Sequence, residues 1–200
     1  MTSAFAPETI EEAQDWLRER LAAKQTLAVR GANSRFHPEA NPATVAVPEI
    51  LSTAKLTCTN FFDPDDMVVG VEAGMTVAAL QAMLAEQRMV LPVNPWFAES
   101  TIGAVFASND IGPNRLNMGG FRDCIIGIEY LNGEGERVHA GGKVVKNVTG
   151  YDLCRMLIGS LGGLGVITAT NFKVMPKPVA PHGLYGRFAD STWLRQVAEL

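Results

Sequence analysis

Ile158-Gly159-Ser160-Leu161-Gly162-Gly163-Leu164-Gly165-Val166-Ile167-Thr168 carries four glycines in seven positions, and Lys146-Asn147-Val148-Thr149-Gly150-Tyr151-Asp152-Leu153 leads into it. Packing alone gives little reason for glycines this dense, so the backbone must turn sharply there or lie close against something. Val166–Thr168 reads as the start of a strand that runs to Val174. Its backbone can lie along a planar ring, donating and accepting hydrogen bonds. Just upstream, Tyr151–Ile158 reads as a short helix ended by Gly159. Working outward, 14 of the 19 glycines fall between Gly103 and Gly165 with no collagen-like period. This distribution supports a ligand site built from loops.

Two earlier segments have a similar character. Arg30-Gly31-Ala32-Asn33-Ser34-Arg35 follows a predicted strand, Thr26–Arg30. Small residues turning off a strand expose consecutive N–H groups, a concavity suited to phosphate oxygens, and Arg30 or Arg35 adds charge. An ordinary solvated turn is the alternative. The segment fits neither the P-loop pattern nor the three-glycine dinucleotide fingerprint. The second segment is Asn94-Pro95-Trp96-Phe97-Ala98-Glu99-Ser100-Thr101-Ile102-Gly103-Ala104, a proline-stiffened loop with hydroxyls that Asn109, Gly112 and Pro113 extend. A packed turn explains it equally well when taken alone.

The rest of the chain supplies a scaffold. Thr9-Ile10-Glu11-Glu12 reads as a capping box opening a helix to about Ala23, with Trp16 in its core. Thr44–Val47 reads as a short strand, and Met67–Ala73 as a longer one. Thr76 caps a second helix bearing Val77, Leu80, Met83 and Leu84, and Met89–Leu91 is a brief strand. Asn132-Gly133-Glu134-Gly135 joins Cys124–Leu131 to Glu136–Ala140 as a hairpin. Pro176-Lys177-Pro178 marks a boundary. A strand, Leu184–Phe188, and a helix begun by Asp190 or Ser191 follow it, and Leu194 and Val197 of that helix await a partner. The expected division is therefore one domain over residues 1–180 and the beginning of a second over 181–200.

Composition removes several function classes. At 47% hydrophobic and 19% charged the chain is neither disordered nor fibrous. Seventeen basic against 21 acidic residues argue against a nucleic-acid binder. No run approaches the roughly 20 apolar residues of a membrane helix, and no basic patch leads into an apolar stretch at the N-terminus. Cys58, Cys124 and Cys154 are odd in number and read as buried thiols of a reducing cytoplasm. His37, His139 and His182 lack metal-ligand spacing, so no metal is expected. Residues 143–178 hold five basic residues and one acidic one, an excess able to face a phosphate or an acidic partner.

Taken together, the three segments resemble the FAD-binding domain of the vanillyl-alcohol-oxidase type, the PCMH-type domain of FAD-linked D-2-hydroxy-acid dehydrogenases. The family's Arg-Gly-x-x-(Thr/Ser) loop corresponds to residues 30–34. Its Ser/Thr-Ile-Gly-Gly loop corresponds to 101–104, with Ala104 in place of the second glycine. Its Asn-x-x-Gly-Tyr-Asp-Leu and Ile-Gly-Ser-x-Gly-x-Leu-Gly-Val-Ile-Thr blocks match 147–168 nearly throughout. The resemblance implies an α+β fold of two α/β subdomains followed by the start of a cap or substrate domain. It implies FAD held by Arg30, Gly31, Ala32, Asn33, Ser34, Arg35, Pro95, Ser100, Thr101, Gly103, Ala104, Asn109, Tyr151, Gly162, Gly165 and Ile167. Members with covalent flavin often carry His where this chain has Ser34, so the FAD is expected to be non-covalent.

Within the family, Gly141–Leu153 is most similar to the FAD-binding E subunit of glycolate-oxidising complexes. In those complexes it stands beside a catalytic FAD-linked D subunit and an iron–sulfur F subunit. The D subunit commonly has Ser-Glu-Gly where this chain has Ser160-Leu161-Gly162. The implied activity is oxidation of a small 2-hydroxy acid, glycolate to glyoxylate, in the cytoplasm, with membrane association only through the complex. No catalytic base is identifiable. Two alternatives stay open: a non-catalytic FAD-binding scaffold or electron-relay subunit, and a stand-alone flavin oxidase of alcohols or sugar lactones. Gly103 is expected to matter for cofactor approach more than for stability, and Trp96 and Phe97 are candidates to lie near the flavin.

Overall fold

Two bodies of aliphatic side chains organise the fold, which a computed structural model describes for residues 4–34, 49–143 and 152–179. The first half contains α1 (Ile10–Ala22), β1 (Leu27–Arg30), β2 (Glu49–Ser52), β3 (Thr59–Asp63), β4 (Val68–Glu72), α2 (Val77–Glu86) and β5 (Met89–Val90). Three short helices follow: α3 (Ile102–Ala107), α4 (Arg115–Met118) and α5 (Phe121–Cys124). The remainder is β6 (Ile125–Leu131), β7 (Arg137–Gly141), α6 (Leu153–Met156), β8 (Val166–Lys173) and β9 (Met175–Pro176). No helix among the described residues is long and apolar enough to cross a membrane.

The first helix starts where its sequence says it should. The Thr9 hydroxyl accepts the Glu12 N–H at 3.1 Å, and the Glu12 carboxylate accepts the Glu8 N–H at 2.9 Å. Glu11 and Glu12 in the first turn and Arg20 in the last oppose the helix dipole. Ile10, Ala13, Trp16 and Leu17 form one buried stripe, which packs on Leu51, Leu56, Leu131 and Val166. β1 and β2 run parallel beneath it, from Leu27 opposite Glu49 to Arg30 opposite Ser52.

The larger body is a five-stranded antiparallel sheet in the order β3-β4-β8-β6-β7. One face carries Val69, Val71, Ile128, Tyr130 and Phe172 against Leu80 and Leu84 of α2, Phe106 of α3 and Phe121 of α5. Phe106, Phe121 and Phe172 meet with ring centroids 5.4, 6.4 and 6.1 Å apart. Leu131 and Val166, at the ends of β6 and β8, belong to the α1 cluster, so the two bodies join there.

Most elements follow the sequence, and the departures have physical reasons. β3 was not anticipated: its Thr-Asn-Phe-Phe-Asp run is half-exposed on the sheet edge and lacks a clean alternation. β2 also went unanticipated. The stretch read as loop through Ala104 instead turns helical at Ile102. Only six residues long and with a glycine second, α3 has too little periodicity to announce itself. Pro176 pairs in β9 with Met89 of β5, on a two-stranded edge where a missing N–H is tolerated. The Thr44–Val47 strand, Leu184–Phe188 and the final helix lie outside the described residues.

Cys58 is exposed, contrary to the expectation that all three thiols are buried. Burial pushes the Cys124 thiol up to about 12 and the Cys154 thiol to about 11, from 9.0. Raised thiol pKa values mean that the folded state holds protons the unfolded chain releases. This stability is complete below pH 9 and declines as pH rises from 9 toward 12. Urea unfolding below pH 9 and again between pH 9 and 11 should show that loss. Cys124→Ala should lose measurably less over the same interval, and equal losses in the two proteins would contradict the linkage.

Candidate functional site

Where the two bodies meet they leave a cleft of about 830 Å³, within the usual range of small-molecule sites. One wall is α1 and β1, with Trp16, Leu17, Leu21, Leu27 and Val29. The other combines α3, the β6–β7 turn at Asn132 and Gly133, and the segment from Leu161 to Ile167. The lining is mainly aliphatic, with Arg30, Asn33, Ser34, Ser108 and Asn132 adding polar groups. That division suits a molecule with flat apolar rings and a charged joint between them.

The three glycine-bearing segments converge on α3. The Ser34 and Ser100 hydroxyls lie 2.6 Å apart and tie the first segment to the second. A side chain on Gly31 would strike Thr101 Oγ1 and come within 3.2 Å of Ala104 Cβ, so the first segment seats directly on the start of α3. At the other end of the helix, the Phe106 carbonyl accepts the Gly159 N–H at 3.2 Å. The Ala107 carbonyl accepts the Leu161 N–H at 2.9 Å. One short helix thereby sets the distance between the first segment and the third.

The third segment winds through left-handed conformations at Gly159 (φ +76°), Leu161 (φ +52°) and Gly162 (φ +80°), then at Gly165 (φ +149°). At Gly162 the nearest atom to an added Cβ would be Val29 Cβ at 3.7 Å, so conformation and not crowding demands glycine there. Strand β8 then begins with one side open. β4 ends at Glu72 opposite Ala169, and the Ala73 N–H donates to the Thr168 carbonyl at 2.8 Å. Val166 and Ile167 pair with β6 on one side and with no strand among the described residues on the other. Both residues line the cleft.

Two hydroxyls beside the cleft lack partners. Thr101 Oγ1 and Ser160 Oγ are buried without a hydrogen bond among the described residues, a costly state for a polar atom. The first N–H groups of α3 are already used: Ile102 donates to Met75 and Gly103 to Ala73, each at 2.8 Å. A dinucleotide's phosphates would therefore rely on loop backbone and on Arg30 more than on a helix terminus. With its volume, polar groups and open strand edge, the cleft fits FAD.

Of the residues proposed to hold the cofactor, Arg30, Gly31, Asn33, Ser34, Gly103, Ala104, Gly162, Gly165 and Ile167 line the cleft. Ser100 and Thr101 are buried behind it, bonding or abutting the first segment. Ala32, Pro95 and Asn109 do not line it, and Asn109 instead follows α3 at φ +53°. Arg35 and Tyr151 lie outside the described residues. Trp96 and Phe97 are 71% and 48% exposed and stand away from the lining. Sequence reasoning missed Leu17, Leu21 and the Asn132–Gly133 turn, and placed Trp16 only in the core. The apolar stripe of α1 was the available signal, since Trp16, Leu17 and Leu21 on it reach both the core cluster and the cleft.

Comparison with known proteins agrees with this geometry. A family model described as FAD binding domain matches residues 2–141. The glycolate oxidase subunit GlcE of Escherichia coli is 30% identical over 188 residues, 92% of this chain and 52% of that protein. The D-lactate dehydrogenase of Archaeoglobus fulgidus is 30% identical over 149 residues, 74% of this chain and 33% of its own. The glycolate oxidase subunit GlcD of Bacillus subtilis is 33% identical over 117 residues, 58% and 25% of the two chains. The chain thus spans about half the length of the first of these relatives and less of the others. Among solved structures, an alkyldihydroxyacetonephosphate synthase superposes with a TM-score of 0.73 at 20% identity. That match covers 88% of this chain and 32% of the other, and it shows the shared fold.

The structure reverses one expectation about Gly103. Its added Cβ would come within 2.8 Å of Ala73 Cβ and 3.2 Å of the Ala73 carbonyl, in a fully buried contact. Gly103→Val should therefore destabilise the fold by about 1–3 kcal/mol, whether or not FAD is present. Thermal melts of both proteins with and without FAD test this. A variant that melts like wild type without FAD and loses only the FAD-induced shift would restore the original reading.

Proposed function

The chain belongs to the FAD-binding domain family, and on that premise we propose that its cleft holds FAD non-covalently for oxidation of a small 2-hydroxy acid, with glycolate the first candidate. The observation that carries the reading is the left-handed glycine segment running into the open edge of β8. FAD when bound supplies the hydride acceptor. The protein's part is placement. Main-chain groups of Gly165, Val166 and Ile167 would take the ring edge. Arg30 brings positive charge to the polar joint of the ligand, where guanidinium and phosphate pair well. The aliphatic walls on α1 and β1 exclude water from the rings.

Non-covalent attachment is supported by the lining itself. Among the described residues of the cleft there is no cysteine, histidine or tyrosine, and Ser34 is engaged with Ser100. His37 lies outside the described residues.

Similarity to both GlcE and GlcD supports work within a heteromeric complex. In the proposed assembly a D-type subunit and an iron–sulfur subunit complete the electron path. The complex is cytoplasmic and touches the membrane only through its partners. Residues 1–180 form the FAD domain, and 181–200 begin the substrate domain.

One observation favours a relay or scaffold role as the second reading. Leu161 occupies the position of the D subunit's acid, is 80% exposed at the cleft lip, and offers no proton-transfer group.

Acid precipitation of the yellow protein should leave its flavin in the supernatant, whereas flavin in the pellet would mean a covalent link. Glycolate-dependent dye reduction should need the partner subunits. Activity of this protein alone would favour a stand-alone oxidase, and a complex whose rate survives loss of this subunit's FAD would favour the scaffold.

A further inference from the structure

A second cavity, of about 520 Å³, opens on the face of the five-stranded sheet away from the aromatic core. Strand register explains it. Gly70, Asn171, Gly127 and Gly141 lie directly across from one another on β4, β8, β6 and β7, so one side chain stands where four would. The next row is Glu72, Ala169, Glu129 and His139. Directly paired residues share a face, so Glu72 and Glu129 flank Ala169 over a bare floor.

The two carboxylates differ in one respect. Glu129 is saturated by Arg137 Nε at 2.8 Å, Thr168 Oγ1 at 2.9 Å and His139 Nδ1 at 3.2 Å, and Arg137 continues to Glu11 at 2.7 Å. Glu72 is nine-tenths buried, lines the cavity, and is bonded by one residue, Cys58, whose N–H it accepts at 2.8 Å and whose thiol also bonds to it. No cation pairs with it among the described residues. A buried carboxylate without a counter-charge is costly, and a cation entering the cavity removes that cost.

The cavity already shows which cation suits it. Phe61 leans over Gly70 to meet Asn171, and the Lys143 ammonium rests over the Phe61 ring, 5.2 Å from its centroid. An aromatic face beside a carboxylate is a setting for organic cations. Metal ions fit less well, since no group of three or more His, Cys, Asp or Glu able to hold one occurs among the described residues. We infer that this cavity binds an alkylammonium or guanidinium group, paired to Glu72 and resting on Phe61, with the Lys143 ammonium as its internal competitor. The inference does not rest on the FAD reading, because the two cavities share no lining residue.

The test is an amide-resolved NMR titration of the full FAD-loaded chain with methylguanidinium and with n-butylammonium, and sodium chloride as the ionic control. Saturable shifts are expected at Cys58, Glu72 and Asn171, with Gly103 and Gly162 unmoved. Glu72→Gln should weaken binding roughly tenfold or more while FAD affinity, the check on folding, stays the same. Lys143→Ala should tighten binding by vacating the ring. N-acetylarginine amide separates two sources of the same chemistry: tighter binding than methylguanidinium points to a basic side chain of a partner, weaker binding to a free small cation. Shifts that sodium chloride reproduces, that fail to saturate, or that persist in Glu72→Gln would overturn the site.

Discussion

Phe106 and Ala107 offer their carbonyls to the third glycine segment, while Thr101 and Ala104, nearer the start of the helix, press against Gly31 of the first. The six residues of α3 thus act as a spacer whose length fixes the cleft. The spacer is rigid because Ile102, Val105 and Phe106 are wholly buried, and Phe106 is wedged between Phe121 and Phe172. Packing density in the core is in this way transmitted to the loops that line the ligand site.

Long, periodic elements were legible in the sequence. Thr9 and Thr76 announced α1 and α2 by their capping hydroxyls, and Asn132-Gly133-Glu134-Gly135 announced the hairpin. The glycine block at 159–165 pointed to a loop-built site, and the structure places Gly162 and Gly165 on the cleft. Elements whose stability comes from distant partners stayed hidden. α3 has one and a half turns and forms because Ala73 and Met75 supply acceptors from far away in sequence. β3 needs β4 beside it, since its own composition favours a turn as much as a strand.

Gly103 shows why a glycine seen in sequence is ambiguous. Close approach to a ligand, a left-handed φ and close approach to the protein itself all select the same residue. Its position against Ala73 identifies the third cause, whereas Gly162 has the second. Both residues border the same cleft, and only coordinates separate their reasons. The charged face of the sheet shows a similar limit. Glu72 and Glu129 lie 57 positions apart in the chain, and only the register through β8 makes them neighbours across Ala169.

The placement of β8 in the middle of the sheet also governs how the molecule can be made. β4 and β6 are both synthesised before it and neither pairs with the other. Until residues 166–173 leave the ribosome, the nascent chain can hold this sheet only as two separate hairpins, β3–β4 and β6–β7, each with an unsatisfied inner edge. Joining them requires contacts across about a hundred residues, and such non-local closure is slow and exposes sticky edges meanwhile. Assembly of this sheet is therefore late and all at once, and a translational stall before residue 166 would yield an aggregation-prone intermediate.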